Sequence, residues 1–517
     1  MDFNTGTNYL RNIKCQDVYT ESQVDYVLPD YLGDVRKILF TDATLKPSGR
    51  FAGGEEVEFS GIVVYNVVYL DGEGEICSVE FTSDYDYSVK CNSDSYNDSV
   101  ADTRVSNYAI RLVGPRKISA KVSLVGSVRL TENCCISTSG DAFDGCAPEI
   151  KMGSVKIRRS RPSSVAEREY AESVARLDGA ILDEVSAVYS CAEATIDSVQ
   201  PDEDSAVLKG RLRLWAVIKN GDEPAYGVEK LVDFEEKIDF EGISSAMSLI
   251  PDASVSSVKA NVNADENGCE VVLSVIAELC LIGEENQNVE LVLDGYLLDS
   301  PTENSYEEFA YTSLVDYVSV KNSHETEIER ESLECEGLRE VVFLTATPKV
   351  ESVEEVDGVA TISGEVRYSG VASELVGEKT GYTGIKFSAP FSTNVNINCQ
   401  NSENLQLETS LRATNVSATV DQEKMYVSCC LDCALVVTKE EKTYVLSEMN
   451  RCGECSEDKE ARITVYYPTP GESLFEVSKR FRASMNKVAK DNDITESVFS
   501  SDNPSGSLSG VKRLIIY

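Results

Sequence analysis

Histidine and tryptophan are nearly absent from this chain, and cationic residues are scarce. Because His324 is the one histidine, catalysis by a histidine dyad or triad is confined to that position. Its neighbours are polar, which makes a solvated side chain the simpler interpretation. The 48 lysines and arginines stand against 88 aspartates and glutamates, which gives a net charge of -40 over 517 residues. Such a chain repels phosphate backbones, so we expect no nucleic-acid partner.

Long apolar runs and an export signal are also missing. No stretch approaches the roughly 18 apolar residues of a membrane helix, and Met1 to Thr7 show neither a cationic start nor an apolar run. We therefore expect no integral membrane segment, a cytosolic location and mostly reduced thiols among the 16 cysteines. No pair of carboxylates or other catalytic constellation stands out, so we expect neither an enzyme nor a cofactor.

The strongest positive signal is an internal repeat of about 150 residues. An Ala-Thr pair inside an apolar run begins at Ala43, Ala194 and Ala346, with spacings of 151 and 152 residues. A glycine that opens an alternating strand follows after 18, 16 and 18 residues. These glycines are Gly61, Gly210 and Gly364. Three near-equal offsets indicate three diverged copies of one domain.

Alternating apolar and polar residues dominate these copies, as in half-buried strands. We predict a mainly β chain of three β-sandwich-like domains, followed by a small α+β domain. One exception is a predicted helix from Val165 to Arg176, which follows a capping-box pattern at Ser164 and Glu167. The predicted domains span residues 1–150, 151–315, 316–458 and 459–517.

The copies are expected to be connected by Thr131 to Ser164 and by Ser300 to Gly337. The first connection carries a basic strip in an otherwise acidic protein. This strip either binds an acidic partner or pairs with the neighbouring acidic face, and the second interpretation is favoured. Its cations are Lys151, Lys156, Arg158, Arg159 and Arg161.

The last segment differs in both charge and pattern. Ala461 to Tyr517 holds 8 cations and 6 anions, so it is +2 while the rest of the chain is -42. A strand at Arg462 to Tyr467 is followed by a capping box between Ser473 and Glu476. A second helix near Met485 to Lys490 and a final strand complete a strand–helix–helix–strand order.

This segment resembles a LysM domain through the run from Tyr466 to Leu474, then Val477, Phe481, Asn492 and the Leu508-x-Gly510 pair. The resemblance implies two helices on one face of a two-stranded sheet. LysM domains often bind N-acetylglucosamine polymers through the loops after the first strand and the second helix. The corresponding residues here are Pro470, Gly471, Glu472, Ser473, Asn492 and Ile494.

The first copy resembles the SPOCS domain through Asp25 to Leu39, which includes a Leu-Pro-Asp element. SPOCS and LysM domains occur together in SipL-type spore-coat morphogenetic proteins. That resemblance implies a non-enzymatic scaffold of the mother-cell cytosol at the forespore surface. Its implied partner is the morphogenetic ATPase of the coat basement layer. The alternative is a LysM protein that binds peptidoglycan in the cell or spore wall.

For such a protein partner, we predict a docking surface on the first C-terminal helix. Phe475 borders the apolar stripe of that helix and is either an exposed aromatic anchor or part of the core. Cations beside it would give the surface a charge opposite to that of the acidic body. The predicted surface comprises Phe475, Lys479, Arg480 and Phe481.

Two cysteine pairs have the spacing of a four-cysteine zinc site. They are Cys430 with Cys433 and Cys452 with Cys455. The first pair, however, lies in a predicted strand, where residues three apart point to opposite faces. The pattern therefore favours buried or free thiols without metal.

Overall fold

The computed structural model describes residues 7–92, 94–143, 148–161, 165–333, 335, 337–376, 379–399, 403–453, 463–494, 508 and 510–517. Of the structure, 77% is strand and 5% is helix, which confirms the prediction of a mainly β fold. The described ranges contain two α-helices, and both lie near the C-terminus. Neither of them, within the described ranges, is long and apolar enough to cross a membrane.

In the part of the chain that the structure describes, twenty strands form the body, and they fall into three consecutive sets. The first set is β1 (Thr7–Lys14), β2 (Val18–Val27), β3 (Val35–Gly53), β4 (Glu56–Asp71), β5 (Ile76–Lys90), β6 (Tyr96–Gly114) and β7 (Lys117–Ile136). The second set is β8 (Glu149–Arg161), β9 (Val165–Asp178), β10 (Val185–Pro201), β11 (Ser205–Asn220), β12 (Tyr226–Asp239), β13 (Ser248–Asp265) and β14 (Gly268–Tyr296). The third set is β15 (Thr302–Glu329), β16 (Leu338–Val356), β17 (Val359–Val376), β18 (Lys379–Asn396), β19 (Leu405–Val420) and β20 (Lys424–Arg451).

Each set builds two antiparallel sheets in the same way. Three consecutive strands form a meander: β3-β4-β5, β10-β11-β12 and β16-β17-β18. The last strand of each set is central in the other sheet, and the strand before it pairs along one edge. The opposite edge of this central strand pairs with β1 and β2 in the first set and with β8 and β9 in the second. In the third set it pairs with the single long strand β15.

The buried residues form one large hydrophobic cluster within each set. Each cluster takes side chains from both sheets of that set, as Val63 and Val122 illustrate in the first. Leu212 and Leu273 do so in the second, and Val366 in the third packs with residues of β20. The alternating sequence therefore buries one face of each sheet against the other.

The three repeat glycines occupy the same place in the three meanders. Gly61, Gly210 and Gly364 lie on the central strand, each opposite an aromatic residue of the following strand. These aromatic residues are Tyr85, Phe234 and Phe391. A Cβ atom on any of the glycines would collide with that ring or with the neighbouring backbone. Glycine is therefore required by close approach rather than by an unusual φ angle.

The strand register corrects the alignment of the second copy by two residues. Ala43 and Ala346 pair with the tyrosines four residues after their glycines, and in the second copy Ala192 holds that place. Ala194, which the sequence pattern selected, pairs with Leu212 instead. With Ala192 the offset to the glycine is 18 residues in all three copies.

An aromatic triangle joins the three meanders. Phe40, Tyr189 and Phe343 each follow a β-bulge at the same place on the first meander strand. Their ring centroids are 5.6, 4.9 and 4.8 Å apart in the three pairings. Each ring lies opposite a fully buried valine of the central strand: Val68, Val217 and Val371. Since all three sets contribute equivalent residues, this cluster closes the body around a pseudo-threefold arrangement.

A buried ion network also joins the three sets. Arg158 of β8 donates to Glu284 of β14 over 2.8 Å and also contacts Glu408 of β19 at 3.3 Å. Arg129 of β7 reaches Glu408 at 2.6 Å. The side chains of Arg158 and Glu284 are only 6% and 1% exposed. A cavity of about 770 Å³ opens beside the network, and Arg129, Arg158 and Glu408 of the network line it.

Three of the five cations of the basic strip are paired with acidic side chains, as the favoured interpretation held. Arg159 and Arg161 both contact Glu285, at 3.8 and 2.8 Å. The predicted connections are wrong as linkers, because much of each forms sheet. Residues 131–136 and 149–161 belong to β7 and β8, and most of 300–337 belongs to β15.

Two further predictions for the body need correction. Val165 to Arg176 is not a helix but part of β9, which pairs along β14. The capping residue Ser164 lies outside the described residues. The predicted boundary after residue 315 falls inside β15, whose earlier residues pair with β20 of the third set. In both cases pairing with a distant strand outweighs the local pattern.

The C-terminal domain has the predicted order of elements. Strand β21 (Thr464–Tyr466) and helices α1 (Leu474–Phe481) and α2 (Met485–Asp491) are followed by β22 (Leu514–Ile516). The two strands pair antiparallel. Its own hydrophobic cluster includes Leu474, Val477, Val488 and Leu514.

Candidate interaction surface of the C-terminal domain

The start of α1 is fixed by its own polar side chains. Ser473 is the N-cap: its hydroxyl accepts from the Glu476 backbone N–H, while the Glu476 carboxylate accepts from the Ser473 N–H. This reciprocal capping box satisfies two backbone donors that the helix would otherwise leave free. The preceding Gly471 has a φ of 93°, a conformation that favours glycine.

Glu472 is held within this same turn. Its carboxylate accepts from the Thr469 N–H at 2.8 Å, from the Tyr466 hydroxyl at 2.8 Å and from Arg480 at 2.9 Å. The backbone hydrogen bond from Thr469 is the main reason that the pKa of Glu472 falls to about 2, and Tyr466 and Arg480 add to it. Among the residues predicted for a glycan loop, Pro470 and Gly471 are exposed, whereas Ser473 and Glu472 serve the turn itself.

The residues predicted to bind glycan after the second helix, Asn492 and Ile494, also make contacts within the domain. The Asn492 side chain donates to the backbone oxygens of Val488 and Ile515, and it accepts from the Ile515 N–H at 2.6 Å. It therefore joins the end of α2 to the last strand. Ile494 packs against the hydrophobic cluster of the domain.

Phe475 is not an exposed anchor. It is 1% exposed, yet it does not belong to the hydrophobic cluster of its own domain. Its ring meets that of Tyr296, at the end of β14, edge to face at 5.4 Å. The Nζ atom of Lys151, in β8, lies over the ring, 5.9 Å from its centre. Phe475 is therefore buried by the second set of strands, which neither interpretation of the sequence anticipated.

Lys479 belongs to the same contact. Its Nζ atom lies 2.6 Å from both carboxylate oxygens of Asp294, two residues before Tyr296. The Tyr296 hydroxyl donates to the Ala483 carbonyl over 2.9 Å. Burial raises the pKa of Asp294, but hydrogen bonds from Lys479 and Tyr306 outweigh it, so the net pKa lies below its usual value.

The other two predicted surface residues belong to a second cluster around Tyr466. Arg480 is exposed, lies over the Tyr466 ring and bonds to Glu472. Phe481 packs edge to face against Tyr466 at 5.3 Å. The four predicted residues thus form two pairs. Phe475 and Lys479 contact the body, whereas Arg480 and Phe481 contact Tyr466, and Arg480 is exposed.

The cysteine pairs do not come together as a metal site within the described residues. Cys430 and Cys433 lie in β20, as predicted, and Cys433 is 1% exposed. Burial raises the pKa of Cys433 to about 11, which favours the thiol over the thiolate that binds zinc. Cys452 is exposed just beyond β20, and Cys455 lies outside the described residues. No cluster of three metal-binding side chains occurs in the described ranges.

His324 is not a solvated linker residue. It lies in β15 opposite Cys429, half-buried, and its Nε2 atom has no hydrogen-bond partner among the described residues. Burial lowers its pKa, so the neutral form is favoured.

Asp294 and Tyr296 are the two residues of this surface that sequence reasoning missed. They lie in a Leu-Asp-Gly-Tyr run that resembles an ordinary strand end, and only the placement of α1 gives them a role. Comparison with known proteins identifies no relative that would assign that role: no family model and no curated protein matches the sequence.

Proposed function

We propose that this chain is a non-enzymatic scaffold of endospore coat assembly, with three SPOCS-type β-sandwich-like domains and a C-terminal LysM domain. The LysM domain docks onto the morphogenetic ATPase of the coat basement layer from the mother-cell side. The proposal rests on the residues that resemble those two families and on their order along the chain.

One observation carries the docking part of the proposal. Phe475 and Lys479 lie on a face of α1 that the domain does not use for its own core and that meets another protein surface. An aromatic ring beside a cation is typical of protein–protein contacts. The body supports the scaffold role, because its three sets of strands share an aromatic cluster and an ion network and so hold their outer surfaces in fixed positions.

Glycan binding is the weaker alternative. Glu472 and Asn492 would have to give up bonds that hold the turn before α1 and the last strand in place. Removing such bonds from a small domain destabilises it. A polar ligand in these loops would therefore compete for the hydrogen bonds that stabilise the fold of the domain.

The two functions are separated by a binding experiment with purified proteins. The full chain should bind the coat ATPase, a chain lacking residues 459–517 should not, and neither should bind chitin oligomers. In sporulating cells, the truncated chain should stay dispersed in the mother cell instead of surrounding the forespore. Equal ATPase binding by both chains, or tight chitin binding by the full chain alone, contradicts the proposal.

A further inference from the structure

The contact between the C-terminal domain and the body has a compact recognition pattern. Asp294 and Tyr296 are two residues apart at the end of β14, so both side chains point to the same face. Asp294 receives Lys479, and Tyr296 receives the Phe475 ring. A carboxylate followed two positions later by an aromatic ring is therefore what this face of α1 recognises.

The body holds the acidic group ready. The Asp294 carboxylate accepts from the Tyr306 hydroxyl at 2.7 Å and from the Asn304 side chain at 2.9 Å. Because these bonds lie within the body and order the Asp294 side chain, little of its side-chain entropy is lost when α1 binds.

Among the described residues, the contact is nevertheless limited in extent. It consists mainly of one ion pair, one hydrogen bond to a backbone carbonyl, one aromatic pair and the approach of Lys151 to the Phe475 ring. Contacts of this size between domains resemble transient protein interfaces. Separation leaves Phe475 exposed beside Lys479, since the ring has no place in the hydrophobic cluster of its own domain.

We propose that the Phe475–Lys479 face of α1 binds extended acidic–aromatic segments, and that Asp294-Gly295-Tyr296 occupies it within the same chain until a segment of the coat ATPase displaces it. This inference rests on the proposed function. The competing segment carries an aspartate or glutamate and an aromatic residue two positions later on a strand. The body thus masks its own docking domain.

The strength of the masking follows from effective concentration. A tethered segment competes at a millimolar effective concentration. A partner at micromolar concentration must therefore bind the free face roughly a thousandfold more tightly than Asp294-Gly295-Tyr296 does. Any substitution that weakens the internal contact lowers the affinity that the partner needs by the same factor.

The first test uses a peptide of residues 290–300, labelled with a fluorophore, and the full-length chain. Asp294→Asn in the chain weakens the internal contact, so the peptide should bind this variant roughly tenfold more tightly than it binds the wild-type chain. Glu290→Gln is the matched control, because it removes an exposed carboxylate from the same strand and should change nothing.

Two further changes locate the binding site. A peptide with asparagine in place of Asp294 should bind the opened chain roughly tenfold more weakly. Lys479→Gln in the opened chain should cause a similar loss, whereas Lys490→Gln on the exposed side of α2 should not. Equal affinity for the two peptides, or no peptide binding to the opened chain, overturns the inference.

The second test uses the purified coat ATPase. The Asp294→Asn chain should bind it roughly tenfold more tightly than the wild-type chain, and Lys479→Gln should reverse the gain. If the ATPase binds every variant equally, it docks elsewhere and the inference falls while the proposed function stands. If it binds none of them although the peptide does, the recognition surface stands and the proposed function falls.

Discussion

Two aromatic contacts connect parts of this protein, and they differ in kind. The triangle of Phe40, Tyr189 and Phe343 lies inside a cluster to which all three sets of strands contribute buried side chains. The Phe475–Tyr296 pair connects the C-terminal domain to the body with one ion pair beside it. The first contact cannot open without exposing a core, whereas the second exposes one ring and one charge. Whether such a contact can open thus depends on how much apolar surface around the aromatic pair would become exposed.

The largest effect should come from breaking the triangle. Phe40→Ala removes a ring that is 1% exposed, and we expect a loss of about 3–5 kcal/mol in the free energy of unfolding. Phe51→Ala in the same strand is the matched control, because that ring is 69% exposed. Urea unfolding of both variants measures the difference. A similar small loss in both would show that the triangle does not hold the body together.

Breaking the buried ion network should cause the next largest loss in the free energy of unfolding. Arg158→Ala leaves the buried Glu284 carboxylate with the neutral Ser160 hydroxyl at 2.6 Å and the more distant cation of Arg129 at 3.7 Å, so we expect a loss of roughly 3 kcal/mol. Arg161→Ala removes a more exposed partner of Glu285 and should lose less than about 1 kcal/mol. Thermal unfolding of the two variants compares them. Equal melting temperatures would mean that the buried pair contributes no more than a surface pair.

The contact with the C-terminal domain should have a smaller effect that depends on pH. The pKa of Asp294 is lowered in the folded chain, so its ion pair stabilises docking above the usual aspartate pKa and is lost as pH falls through the lowered value. Lys479→Gln should therefore expand the chain at pH 7, and its difference from the wild-type chain should disappear as the pH falls through the lowered pKa of Asp294. Small-angle scattering over a pH series measures the expansion, and a difference that stays constant through the whole series would contradict this assignment.

The smallest expected effect concerns the cysteines. Zinc shared by Cys430, Cys433, Cys452 and Cys455 would anchor the start of the C-terminal segment to β20 and make the second contact as permanent as the first. We expect no stoichiometric zinc on elemental analysis of the tag-free protein, and no change in melting temperature when Cys452 is replaced by serine. One bound zinc per chain that is lost in the Cys452→Ser variant would refute this prediction.

The sequence alone predicted features that depend on neighbours along the chain. Alternation identified the strands that contain Gly61, Gly210 and Gly364, because a half-buried strand imposes a period of two wherever it lies. Each strand begins five residues before its glycine, although the pattern placed the glycine at the start. The capping box at Ser473 and Glu476 identified the start of α1, because its bonds span only three residues. The same reasoning failed at Val165 to Arg176, where a similar local signature is overridden by pairing with β14.

What the tertiary structure decided are the contacts between distant segments. The burial of Phe40 beside Tyr189 and Phe343 follows from bulges that turn three strands toward a common centre, and strand alternation does not encode a bulge. The occlusion of Phe475 depends on Asp294 and Tyr296, nearly 180 residues earlier in the chain. The sequence determined that Phe475 borders an apolar stripe, but its burial depends on which surface covers that edge. Only the packing of the C-terminal domain against the body decides this, because burial is a property of both surfaces together.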